Sequence, residues 1–378
     1  MNRHPLTALV SALILSIPAY TSAQNFPTHE QVAAWFAEEW RKATSPVELQ
    51  DCVMHWRSVL AYVPPAAELA KMRAAVAGKP EHPDRPLIAM FEDRIKSGPT
   101  TISKHFCADG HRGWRFGETY SSGKYCDTVA TPSAAWQLFP PTLKVLDATK
   151  LGSRDPEQDV TQLESTFLPE VGLLLFGGLS YGKVSNLEPG PITLDGAKWS
   201  VDAGLKGEHP PQTDFAMRFY GHWDSAKNRG FVDGTEIIRS GFAPQTIGDS
   251  WTISDWQLFE SANLHAARSA VYRRSNGVLD RSVTLVGINR IDGGFNAAIA
   301  VPSRDEPDIF RGIPLFTSMA DYRTRTVSDT TPEGVINTRP LGGLPPPPGR
   351  ATLDVIGYVI LFGLLFATVV MWRIYHRP

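Results

Sequence analysis

Three observations predict an α+β fold with an antiparallel sheet. Helical spacing dominates the first hundred residues. From about Thr100 the apolar residues recur at every second position. Turn dipeptides such as Ser122-Gly123, Asp195-Gly196 and Asn276-Gly277 punctuate that rhythm to the end of the domain. Helices first and a long meander afterwards do not produce the alternating order of a doubly wound α/β protein.

The elements follow in chain order. Thr28-His29-Glu30-Gln31 is a capping box that opens a helix over 28–43. Val32, Trp35, Phe36, Trp40 and Ala43 form its apolar stripe, which is expected to face the core. Gln50, Cys52, Met54, Trp56, Ser58 and Leu60 alternate within 47–62. The segment after Ser45-Pro46 also admits a helix, but the alternation favours a strand. Pro65 starts a short helix over 65–77 that Gly78-Lys79-Pro80 stops, and a second is expected over 84–96.

In the meander, Asp109-Gly110 and Asp233-Gly234 also read as turns. Phe215, Met217, Phe219, Gly221 and Trp223 share a dry face opposite Asp214, Arg218 and His222, the mark of a sheet with one wet side. Asn276-Gly277 fits a two-residue type I′ hairpin. A helix over 158–176 runs into the apolar island Leu173–Ser180, which is too short to span a membrane.

Both ends carry apolar runs. Arg3, the stretch Leu6–Ala19 and small residues Thr21 and Ala23 describe a signal peptide over 1–23, with an uncleaved anchor as the alternative. From Val355 to Trp372 the chain carries no charge, and 353–372 is expected to form a transmembrane helix. Arg373, His376 and Arg377 then place the tail 373–378 in the cytoplasm and the bulk outside it, in the periplasm. A tail clipped by a membrane protease is the other reading of this end. Residues 24–328 form the β-rich domain, and the Thr-, Gly- and Pro-rich stretch 329–352 is expected to be a linker.

The chain has 378 residues, 42% of them hydrophobic, and a net charge of -2 with no block of Lys and Arg; nucleic acid is therefore not an expected partner. Cys52, Cys107 and Cys126 allow one disulfide plus a thiol, or three thiols, and exclude a disulfide-built scaffold.

No motif names a reaction. Gly178-Leu179-Ser180-Tyr181-Gly182 matches the nucleophile elbow that exposes a catalytic serine. Asn186, Pro189, Gly190 and Pro191 leave little room for the helix such an elbow needs, so a tight glycine turn is expected and no catalytic residue is assigned. His105, Cys107, His111 and Cys126 could be imagined around a metal, but no paired ligand spacing supports it. His209, His222 and His265 lack spaced partners. Asp224, Asp233 and Glu236 fit solvated strand ends. No metal, cofactor or ligand-binding residue is assigned.

The helix at 28–43, the aromatic meander and the repeated turn-then-Trp phrasing (CADGHRGWRF, TLDGAKWSV) resemble the LolA/LolB/RseB-type unclosed β-barrel of exported bacterial proteins, over roughly residues 28–325. The resemblance implies a curved half-barrel sheet packed on helices, whose concave apolar face binds lipoprotein acyl chains or related ligands. It transfers no functional residue. The C-terminal anchor departs from the soluble carriers and favours a fixed receptor or sensor. Expected partners are therefore the membrane, through the C-terminal helix, and a lipid or lipoprotein ligand. The alternative is an envelope assembly protein that binds a protein partner and no small ligand.

Overall fold

The computed structural model describes residues 26–150, 161–304, 308–310 and 316–341. The expected signal peptide, transmembrane helix and tail lie outside these residues. Among the described residues, no helix is long and apolar enough to cross a membrane.

The capping box forms as its residues dictate: Thr28 Oγ1 accepts from the Gln31 amide, and the Gln31 side chain accepts from the Thr28 amide. Helix α1 (His29–Thr44) follows, then β1 (Cys52–Leu60), α2 (Ala66–Val76) and α3 (Arg85–Ser97). Strands β2 (Thr100–Ala108), β3 (Trp114–Tyr120), β4 (Tyr125–Ala130), β5 (Ala135–Phe139) and β6 (Thr142–Val145) form the first meander. Helices α4 (Thr161–Phe176) and α5 (Tyr181–Ser185) interrupt it. The second meander contains β7 (Leu187–Asp195), β8 (Lys198–Leu205), β9 (Phe215–Asp224), β10 (Arg229–Ser240), β11 (Ser250–Phe259), β12 (Leu264–Arg273) and β13 (Leu279–Arg290). Helix α6 (Gly294–Ile299) and strands β14 (Ser318–Asp321), β15 (Thr326–Thr330) and β16 (Ile336–Pro340) end the described chain.

The strands make one sheet of 16, in the order β16-β15-β14-β6-β5-β4-β3-β2-β1-β13-β12-β11-β10-β9-β8-β7. Every pairing is antiparallel except β6 with β14. Edges β7 and β16 do not pair with each other, so the sheet is unclosed, in keeping with an α+β half-barrel.

Helices α1, α4 and α5 pack on the inner face. Helix α4 brings Phe167, Val171, Leu173, Leu174 and Leu175 into the main core with Met54, Trp56, Phe106, Phe116 and Phe219. It approaches β12 closely because that strand offers fully buried Ala266 and Ala270. Each large apolar side chain so removed from water contributes about 1.5–3 kcal/mol. The outer face of β1–β6 is covered by the described residues between Ile291 and Phe316, here called the strap. Val53, Cys107, Ile291, Phe295 and Ala298 form one small core beneath it, and Val129, Trp136, Leu138, Leu143, Val145 and Phe316 another.

Three sequence expectations change. Asp233-Gly234 is no turn: β10 runs through it with a bulge between Val232 and Gly234. Glycine is required there because a Cβ would lie 2.4 Å from the Trp251 carbonyl oxygen and from the Tyr220 hydroxyl. Asn276-Gly277 does close the β12–β13 hairpin, but only Gly277 has a positive φ, of 80°, and a type I′ turn needs two. Finally, strand pairing continues to Pro340, so the first part of the stretch assigned to the linker belongs to the sheet. Val327, Thr330 and Ile336 are β-branched residues suited to strands, and Gly334 (φ 82°) turns the chain between them.

Candidate functional site

Alternation along β1–β4 sends successive side chains through opposite faces, and here it carries charge into both. On the inner face, buried Lys104 lies between Glu118 (3.0 Å) and Glu170 of α4 (2.8 Å). Glu170 also accepts hydrogen bonds from Trp56 Nε1 (2.8 Å) and Ser58 Oγ (2.9 Å), and Arg281 reaches it at 3.3 Å. Burial alone would raise the Glu170 carboxyl; Lys104 and Arg281 overcome it and hold the group down at about 2. Burial likewise works against the Lys104 charge, but Glu170 and Glu118 outweigh it and its pKa ends raised.

On the outer face, Arg115 forks onto Asp127 (2.6 Å) and reaches Asp308 of the strap (2.6 Å) and the Ala298 carbonyl (2.8 Å). The Phe310 ring lies 4.4 Å from its guanidinium, the Trp136 ring 5.0 Å. His105 Nε2 sits 3.2 Å from Asp127, directly over Gly117, where a Cβ would come within 2.3 Å of the imidazole. These two clusters hold α4 and the strap to the sheet.

The inner face is therefore filled by the protein's own helix. Among the described residues a cleft of about 430 Å³ opens at one rim, where β2, β3 and β4 meet. Ala108, Trp114 and Ala130 end those strands, and Phe106, Phe167 and Leu168 floor it. Pro46, Val47, Pro132 and Ala148 close its sides, while His111, Thr131 and Lys183 bring polar groups to it. Small residues in the wall, Ala108, Gly110, Ala130 and Ala148, leave room for the cleft, and Gly113 (φ 118°) lets the backbone pass close to β4; a Cβ there would lie 2.4 Å from the Ala130 carbonyl oxygen. Ligand sites are typically concave, mostly apolar and about 300–1,000 Å³, with a few convergent polar groups. The rim cleft has those properties.

The residues weighed from sequence fall apart in space. Ser180 is buried against Gly172 and caps the short α5; its hydroxyl has no hydrogen-bond partner among the described residues. A helix does follow it, contrary to expectation, but for five residues only. His105 and Cys107 share the outer face, His111 stands at the cleft, and Cys126 points inward toward Glu118 (3.9 Å). Among the described residues, no group of three metal-ligating side chains converges. The three cysteines are buried thiols without a disulfide, and burial pushes Cys107 up to about 12. His209 bonds the Lys206 carbonyl, His222 pairs with Asp233 (2.9 Å), and His265 meets Arg229 (2.7 Å). Asp224 accepts from the Ala226 and Lys227 amides, and Glu236 lies half-buried in β10. Sequence reasoning missed the cleft, whose lining comes from six separate segments, although Gly113 beside Trp114 was a usable sign of close backbone approach.

No protein-family model matches this chain, and no curated protein does. Among solved structures, it is similar to an outer membrane lipoprotein-sorting protein domain from Vibrio parahaemolyticus (8% identity, TM-score 0.34, covering 69% of this chain and 93% of that one). A LolA superfamily protein from Nitrosomonas europaea matches at 7% identity and TM-score 0.34, over 70% of this chain and 97% of that one. The MucA/MucB complex of Pseudomonas aeruginosa matches at 8% identity and TM-score 0.21, over 82% and 74%.

Proposed function

We propose that the chain is a membrane-tethered, extracytoplasmic binding domain whose rim cleft takes an apolar, lipid-like ligand or the lipid of a lipidated protein. The observation that supports this reading is the cleft itself: about 430 Å³, floored by Phe106, Phe167 and Leu168, with Lys183 and His111 beside it. Such a lining rewards burial of an apolar tail and leaves the polar end of an amphiphile at the mouth. The charge-free run Val355–Trp372 supports the tether. Photolabelling of the full-length protein with a photoactivatable fatty acid tests the site. Label is expected on the peptides carrying Trp114 and Phe167, and Ala130→Trp, which fills the cleft, is expected to remove it. Label spread evenly over the surface, or indifferent to Ala130→Trp, would sink the reading.

A second reading, an envelope assembly protein, is favoured by the edge of β16, which is unpaired among the described residues and whose approach carries exposed Val335 and Ile336. Unpaired edges are ready templates for another chain. Crosslinking in membranes would then give one dominant protein partner through residues 335–340, with no lipid label in the cleft.

A further inference from the structure

We propose that the rim bearing the cleft is the membrane-facing surface of the domain, so that the cleft opens toward the bilayer that holds the tether. This rests on the tethered-binding reading above and adds which way the domain faces.

The register carries the argument. Ala108 pairs with Trp114, Trp114 with Ala130, and Ala130 with Ala135, which sets the cleft at one common end of β2–β5. Val145 pairs with Asp321, Asp321 with Thr326, and Thr326 with Pro340. The two series join through the pairing of Trp136 with Val145. Side-chain packing shows the same closeness: Tyr322 packs in one small cluster with Ala130 and Ala148, both of which line the cleft. Three residues on, the Arg325 carbonyl accepts from the Leu341 amide (2.8 Å). The chain therefore leaves for its C-terminal apolar run from the cleft side of the molecule.

The length of the connection then selects the orientation. Residues 342–352 separate the sheet from the expected span, and eleven residues reach at most about 40 Å when fully extended. Strands β10 and β13 have 12 residues each, about 40 Å at the rise of an antiparallel strand. To set the opposite rim on the bilayer, the connection would spend its whole reach passing along the sheet. That disfavours one exposed apolar group of the far rim, Ile247, Val278 and Leu279, as the membrane contact. On the cleft rim Asp109 and Asp321 are paired with Arg112 and Arg323, and exposed Lys183 and Arg325 stand on the same rim as exposed Glu48; the two cations are the groups that an anionic headgroup would meet.

The test uses full-length protein in vesicles of acyl-chain-brominated phosphatidylcholine and phosphatidylglycerol. A fluorophore is attached at Val184→Cys, beside Lys183, or at Val278→Cys on the far rim; protein without an added cysteine is the blank. Quenching is expected to be at least threefold greater at 184 than at 278. Equal quenching, stronger quenching at 278, or failure of the protein to float with the vesicles would each overturn the orientation. The fatty-acid label separates the two ideas. Label in the cleft with equal quenching sinks the orientation alone, whereas strong quenching at 184 without cleft label sustains the orientation and sinks the ligand.

Discussion

Lys104 and Arg115 stand on neighbouring strands, β2 and β3, and leave the sheet through opposite faces. Both are buried cations with two carboxylate partners, but they are built differently. Lys104 is a compact charge that bridges Glu118 and Glu170, and Glu170 shares four donors. Arg115 is a planar fork whose hydrogen bonds fix two carboxylates and a backbone carbonyl at once, with aromatic rings nearby. The inner cluster thus holds α4 through one redundant carboxylate, and the outer one holds the strap through geometry that a single side chain supplies. Redundancy tolerates loss of a partner; a fork does not.

The largest effect is expected from Arg115→Ala, which leaves Asp127 and Asp308 buried without their cation and should cost about 3–5 kcal/mol in urea unfolding. Arg115→Lys should recover only part of it, because an ammonium cannot reproduce the fork. Glu170→Gln should cost less, about 2 kcal/mol, since Lys104 keeps Glu118 and the amide oxygen still accepts from Trp56 and Ser58. A loss equal to that of Arg115→Ala would break the contrast. Combining the two changes sharpens it: independent clusters predict additivity to within about 0.5 kcal/mol, and coupling above about 1 kcal/mol would show that the faces communicate.

Acid separates the faces next. His55, next to His105 on the outer side, is pushed down by burial and by that neighbour, from an ordinary 6.5 to about 4. Its folded value lies below its unfolded one, so its contribution is full above 6.5 and fades as pH falls from 6.5 to about 4. Glu170, held at about 2 against an ordinary 4.5, loses its contribution only between about 4.5 and 2. Urea midpoints should therefore begin falling below pH 6.5 in the native protein, and His55→Gln should flatten the segment above about 4.5. The smallest effect is expected at the cleft. Lys183→Ala should change stability by less than about 0.5 kcal/mol while weakening capture of an anionic amphiphile, and a larger stability loss would mark Lys183 as structural.

Local pattern made much of the fold legible. Thr28 and Gln31 wrote the start of α1, Pro65 the start of α2, and the alternation from Phe215 to Trp223 gave β9 its dry face. What pattern could not show was set by partners distant in sequence. Lys104 reads as a solvated strand residue until Glu170, presented by a helix, arrives over it. Arg115 waits in the same way for Asp308. Asp233-Gly234 has the composition of a turn, and only the approach of Tyr220 and Trp251 reveals it as a bulge. The cleft was illegible for the same reason: small residues such as Ala108, Ala130 and Ala148 signal nothing until they face one another.

The pairing of β6 with β14 brings Thr142 beside Ser318, across most of the domain's length. Non-local strand pairs of this kind form late and slowly. Until the last segment has been delivered, Thr142–Val145 is an open border, able to template the wrong neighbour. A chain crossing a membrane from its N-terminus would expose that border throughout its passage, so a holding factor, or rapid delivery of the final strands, would decide how much protein matures and how much aggregates.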